Sequence, residues 1–130
     1  MINYYDICNN CRYVDQSEII ISNKKLRTSH LGTCSVLAFS FNNLNFMAHV
    51  DALQNTKEQL LKKIKKKFDI KNIRLKKVYI VSGAWCNTKC DTIRIIMNVL
   101  KQLNIELIIH NKNIKWKNVI DIDQNNISIT

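Results

Sequence analysis

The sequence predicts an α+β fold, a mostly antiparallel β-sheet packed with two α-helices, on three observations. Strand-like runs come first along the chain, two amphipathic stripes of helical spacing then separate further strand-like runs, and no repeat or low-complexity linker intervenes. At 130 residues the chain is long enough for one sizeable core and too short for two, so a single domain spanning 1–130 is expected.

Each element has its own signal. Residues 18–22 are a β-branched run. Residues 34–41 alternate Val36 and Ala38 against Leu37 and Phe39 and stop at the turn-prone Asn42-Asn43, after which residues 44–50 return as a second strand. A hairpin pairing 34–41 with 45–50 sets the start of the first strand beside the end of the second, which brings Cys34 and His49 close. Over residues 56–68, Leu60, Leu61, Ile64 and Phe68 share one helical face, lysines occupy the other, and Thr56 fits the N-cap. Residues 77–82 read as a buried strand ending at Gly83. Asp91 or Thr92 can cap a second helix whose core stripe is Ile93, Ile96, Met97, Leu100 and Leu103. Residues 105–109 form the next strand, and residues 116–122 and 127–130 make a terminal hairpin around Asp123-Gln124-Asn125-Asn126.

Composition narrows the function classes. No apolar run approaches the roughly 20 residues of a membrane span, and the start of the chain lacks the pattern of a secretory leader, so a cytoplasmic protein (host cytoplasm for a viral one) is expected. The net charge of +10 raises nucleic acid as a partner, but residues 57–77 carry nine Lys and Arg74 against Glu58 and Asp69, +8 of that total. Abundant Lys, Asn and Ile with Gly 2 and Pro 0 is also the bias of an AT-rich coding sequence. The basic segment therefore reads as a solvated helix face, and a nucleic-acid-binding module is the non-enzyme alternative. That module would lack a stacked aromatic array, with only Phe68 and Tyr79 near the charges. Five cysteines without an export signal argue for reduced thiols. A four-thiolate zinc site from Cys8, Cys11, Cys86 and Cys90 is disfavoured by the loose second spacing and the lack of flanking glycines, so neither metal nor cofactor is expected.

The chemistry-bearing block is Arg27-Thr28-Ser29-His30-Leu31-Gly32-Thr33-Cys34, with His49 fifteen residues after the cysteine. A thiol attacks a carbonyl as thiolate, and a histidine across a hairpin supplies the base. Gly32 just before Cys34 permits a tight turn able to aim backbone N–H groups at a developing oxyanion, and Gly32 and Thr33 are expected to bind substrate. From spacing alone, Cys34 also reads as a small buried strand residue and His49 as a structural histidine. His30 and His110 have no nucleophile suitably placed in sequence and read as solvated or structural.

Thr28 six residues before Cys34, the run Leu31-Gly32-Thr33-Cys34 and Ala48-His49 after the next strand resemble the CheD family of glutamine deamidases, whose pattern is a Thr six residues before the Cys of Leu-Gly-Ser-Cys and a His ending the following strand. Val78-Tyr79-Ile80-Val81-Ser82-Gly83-Ala84 resembles that family's Gly-Gly-Ala strand end, with one Gly in place of two. A closer likeness is to the protein N-terminal asparagine amidohydrolases of the same superfamily. Tyr13-Val14-Asp15-Gln16-Ser17-Glu18 is similar to their Tyr-Val-Gly-Gln-Arg-Glu, Thr33-Cys34 to their Thr-Thr-Cys, and His49-Val50-Asp51-Ala52 to their His-Cys-Asp-Gly, with Ala52 at the Gly.

The resemblance implies a CheD-like deamidase fold and a protein or peptide substrate whose Asn or Gln carboxamide is hydrolysed, an N-terminal Asn being favoured and an internal Gln the enzyme alternative. It implies a Cys34 thiolate paired with a His49 imidazolium, and so fast alkylation of Cys34. It also implies that Thr28 orients His49 or contacts the substrate amide. An N-terminal substrate brings an α-ammonium, for which Asp51 or Glu18 is the expected anion.

Overall fold

The computed structural model describes Cys8, residues 10–86 and residues 90–130. Residues 1–7 and 9 of the segment read for a leader, and residues 87–89 between the second pair of cysteines, lie outside the described residues. The chain is α+β, with nine strands and two helices among the described residues: β1 (Cys11–Tyr13), β2 (Ile19–Ser22), β3 (Lys25–Ser29), β4 (Ser35–Phe41), β5 (Leu44–Val50), α1 (Lys57–Lys67), β6 (Arg74–Ser82), α2 (Asp91–Leu100), β7 (Asn104–Asn111), β8 (Val119–Asp123) and β9 (Asn126–Ile129).

The expected single, mostly antiparallel sheet is two mixed sheets. One has the order β2-β5-β4-β6-β7 and the other β1-β3-β8-β9. β6 and β7 run parallel because α2 crosses between them, and β1 runs parallel to β3. Period-two alternation then sorts the five-stranded sheet into two faces. Leu37, Phe39, Phe46, Ala48, Val50, Val78 and Ile80 pack against Leu60, Ile64, Ile93, Ile96 and Val99 of the helices. Val36, Ala38, Met47, Tyr79 and Val81 point the other way, onto Leu26, Ile120 and Ile122 of the second sheet. Three layers result, with helices outside one sheet and the second sheet against its other face.

Local chemistry sets the boundaries. Thr56 caps α1 through a reciprocal box: its Oγ1 accepts from Gln59 N at 3.2 Å, and its own N–H donates to Gln59 Oε1 at 3.1 Å. The cap expected at Asp91 or Thr92 is instead Cys90, which makes no side-chain cap bond. Thr92 is drawn inward to Ser35 Oγ at 2.8 Å, and Met97, expected in the core stripe, is 40% exposed. Asn42-Asn43 and Gln124-Asn125, all at positive φ, turn the two hairpins, consistent with two-residue loops of primed type. These turns clasp each other: Asn45 Oδ1 accepts from Ser40 Oγ and Gln124 N, and Asn125 N donates to Ser40 Oγ. The two sheets are thereby joined at the end of β4 remote from Cys34.

Four thiols expected to be reduced are paired, Cys8 with Cys11 and Cys86 with Cys90. Their spacings of three and four residues place the Cα atoms 5.2 and 5.6 Å apart, so the pairs close local turns rather than a framework. Cys34 is the free cysteine. Among the described residues no three His, Cys, Asp or Glu side chains converge as metal ligands, and no helix is long and apolar enough to cross a membrane.

Candidate active site

Cys34 immediately precedes β4, and His49 sits one residue from the end of β5. The ladder sets Val36 opposite His49 and Ser35 opposite Val50. Carrying that register one residue further puts Cys34 opposite Asp51 and on the same face as His49, one diagonal step away. Diagonal neighbours of this kind have Cα atoms roughly 7–8 Å apart. Both side chains face the second sheet and are buried, Cys34 to 7% and His49 to 3% exposure. The expected closeness is one of shared face and neighbouring register; no hydrogen bond joins the two side chains, and His49 Nε2 is buried without a partner.

The other ring nitrogen is held from the second sheet. Thr28, fully buried on β3, donates its hydroxyl to the carbonyl of Val14 at 2.7 Å. Its oxygen lies 2.7 Å from His49 Nδ1. With its one hydrogen committed to Val14, Thr28 accepts from His49, which places the imidazole proton on Nδ1 and the lone pair on Nε2. The segment before β2 completes this frame: Ser17 N donates to His49 O at 2.9 Å, and His49 N donates to Glu18 O at 3.1 Å.

Asp51 and Glu18, the two expected anions, are placed differently. Asp51 is 8% exposed; its Oδ2 accepts from Gln16 Nε2 at 2.7 Å and its Oδ1 from Leu53 N at 3.0 Å, while its own N–H donates to Asn55 Oδ1 at 2.9 Å. Its charge is felt at both Cys34 and His49. The Glu18 carboxylate instead closes a local turn, Oε1 accepting from Asp15 N at 2.9 Å. Gln16, Asn55 and the Val14 carbonyl escaped the sequence reading as individual contributors, although Val14 and Gln16 lie in its family-like segment 13–18. Their parts depend on contacts with residues as far as 35 positions away, which no local spacing encodes.

The chain has two glycines, and both adjoin Cys34. Gly32 was expected to supply turn freedom, but neither glycine has positive φ. Both supply space. A Cβ on Gly32 would lie 2.7 Å from the Trp85 ring, and one on Gly83 would collide with the carbonyl oxygens of Gly32 and Cys34. That closeness lets the 83–85 turn bond to the nucleophile loop, through Gly83 N to Cys34 O, Ala84 N to Leu31 O and Trp85 N to Gly32 O at 2.8–3.0 Å. Thr33 is exposed at the tip.

Electrostatics correct the resting state expected from the sequence. Burial, and secondarily the Asp51 carboxylate, push the Cys34 thiol up to about 11. Burial lowers His49 to about 4, against a smaller upward pull from Asp51. Both directions favour thiol and neutral imidazole at neutral pH over thiolate and imidazolium. Iodoacetamide should accordingly label Cys34 at pH 7 at least a hundredfold more slowly than an unfolded thiol of ordinary pKa near 8.5. The rate should climb about tenfold per pH unit to beyond pH 9, as followed by intact mass. A fast rate that is flat above pH 7 would restore the ion pair.

Elsewhere, Lys62, Lys63, Lys65, Lys66 and Lys67 of α1 are exposed. Lys62, Lys63 and Lys66 line a groove of about 510 Å³ with Ser17, Ile19, Gln54, Asn55 and Gln59, apart from Cys34 and His49. His110 lies on the helix side of the sheet, 2.5 Å from Ser82 Oγ. No protein-family model matches the sequence, and no curated protein matches it significantly.

Proposed function

We propose that the chain is a CheD-like cysteine amidohydrolase that deamidates a polypeptide carboxamide, with N-terminal Asn as the preferred substrate. The observation that carries this reading is the Thr28–His49 hydrogen bond, which leaves a buried Nε2 lone pair on the strand face shared with Cys34. A histidine serving structure alone has no need of one nitrogen fixed and the other kept without a partner, because an unmet buried polar atom costs about 1–3 kcal/mol. Such departures from full satisfaction belong at functional sites.

The chemistry is acyl transfer. As Cys34 Sγ bonds to the carboxamide carbon, its proton passes to His49 Nε2 and the carbonyl oxygen takes the negative charge. The oxyanion collapses, the C–N bond breaks, and His49 returns the proton to the departing ammonia, leaving a thioester on Cys34. Water then attacks, giving its proton to His49, and cleavage of the C–S bond releases a carboxylate and regenerates the thiol. Because the resting pair is neutral, His49 acts as general base during attack. An α-ammonium beside Asp51 would offset the carboxylate that disfavours thiolate at Cys34, which couples recognition of a free N-terminus to activation.

A peptide beginning with Asn should therefore be converted to the Asp form, its N-acetylated counterpart should not, and an internal Asn should be ignored, as read by mass and fragmentation. Acetylation removes the charge and the donors that a largely buried carboxylate recognises. Conversion of an internal Gln in a folded protein alone would instead assign the glutamine deamidase. Salt-dependent retention on nucleic acid that survives Cys34→Ala, without ammonia release from any amide, would assign the basic binding module.

A further inference from the structure

Both tryptophans of the chain lie in one place. Trp85, after β6, and Trp116, between β7 and β8, stack with ring centroids 5.3 Å apart and planes 13° apart, and His30 lies 5.0 Å from Trp116. The indole edges rest on the backbone of Gly32, where a Cβ would stand 2.7 Å from Trp85 Cε3 and 3.2 Å from Trp116 Cζ3. Gly32 is two residues from Cys34, and the charge of His30 is felt at His49. The stack thus adjoins the candidate site. It belongs to neither hydrophobic core, and Trp85 remains 69% and Trp116 41% exposed. Large aromatic surface left to water on a loop whose glycine makes room for it is a binding feature rather than a folding one.

The occupant follows from continuity with Cys34. Asp51 flanks the thiol on the β5 side, where an α-ammonium would sit, and Gly32 with the indoles flanks it on the other. With its first carboxamide at Cys34 and its free amine at Asp51, a peptide continues away from β5, onto the side that Gly32 and the indoles occupy. Exposed Lys115 and Lys117, beside Trp116, favour acidic residues further along.

We propose that the Trp85–Trp116 stack is a specificity subsite for the aromatic or large aliphatic side chain that follows the attacked residue of a polypeptide; its occupant rests on the amidohydrolase reading above.

All tryptophan fluorescence of the chain arises from this pair, so binding there is directly visible. The full-length Cys34→Ala protein, which cannot consume its ligand, should be titrated with peptides beginning Asn-X before a common acidic tail, X being Phe, Leu or Gly. The Phe and Leu peptides should shift the emission and bind roughly three- to tenfold more tightly than the Gly peptide. That difference should vanish in Cys34→Ala/Trp85→Ala and persist in Cys34→Ala/Trp85→Phe, with circular dichroism confirming the fold of each. Equal affinity for all three peptides, or binding of none, overturns the subsite. Preferential binding with no deamidation of these peptides by the Cys34-containing protein leaves the subsite standing and refutes the amidohydrolase reading, whereas deamidation indifferent to X does the reverse.

Discussion

Replacing Cys34 by Ala should abolish carboxamide hydrolysis, a loss of at least about ten-thousandfold, because no other described thiol is free to take the acyl group. The fold should survive. Cys34 is small and lies at the end of the inter-sheet core, so losing its sulfur should cost only about 1–2 kcal/mol, measured by thermal or urea denaturation. Cys34→Ser keeps the shape, yet should be nearly as inactive, since a hydroxyl opposite a weakly basic imidazole is a far poorer nucleophile. Rapid quenching of the parent protein with an Asn-initiated peptide should reveal a mass increase equal to the acyl group, and it should map to Cys34. An Ala variant that still releases ammonia would remove the thioester from the mechanism.

The parts of this arrangement that were legible in the sequence are those set by period and by local caps. Alternation through residues 34–41 and 44–50 and the Asn42-Asn43 turn define the hairpin, so the shared face of Cys34 and His49 follows from counting in twos. The capping Thr56 and the stripe of Leu60, Ile64 and Phe68 define α1 in the same way. What escaped is long-range. β3 reads as polar, Lys25 and Arg27 alternating with Leu26 and Thr28, and it is held as a strand by β1 on one side and by β8, 90 or more residues away, on the other. Without β3 there is no second sheet, and Thr28 reads as a motif residue rather than as a buried hydroxyl between Val14 and His49. Left-handed positions at Ser17, His30 and Asn113, which no glycine marks, were not legible either. The charge state of the Cys34–His49 pair depends on burial between two sheets, and neither residue's neighbours in sequence disclose it.

Thr28→Val should cut turnover by about two to four orders of magnitude, as expected when an imidazole loses the group that fixes its tautomer. Valine matches the shape of threonine but leaves His49 Nδ1 and the Val14 carbonyl without their shared hydroxyl. The ring then keeps only the Val14 carbonyl, which already bears on His49, in place of two partners on that side. Its Nε2–H tautomer, which cannot take a proton from Cys34, becomes competitive. Losing the two buried hydrogen bonds of the Thr28 hydroxyl should also lower stability by about 2 kcal/mol, visible as a reduced denaturation midpoint. The kinetic pattern separates orientation of His49 from direct contact with the substrate amide. Both bonds of the Thr28 hydroxyl are made within the protein, so kcat should fall while KM stays nearly constant, whereas a substrate contact would raise KM. Thr28→Ser, which keeps the hydroxyl and loses only a methyl group, should recover most of the turnover. If the Ser variant is as slow as the Val variant, the methyl packing and not the hydrogen bond positions His49, and the tautomer argument fails.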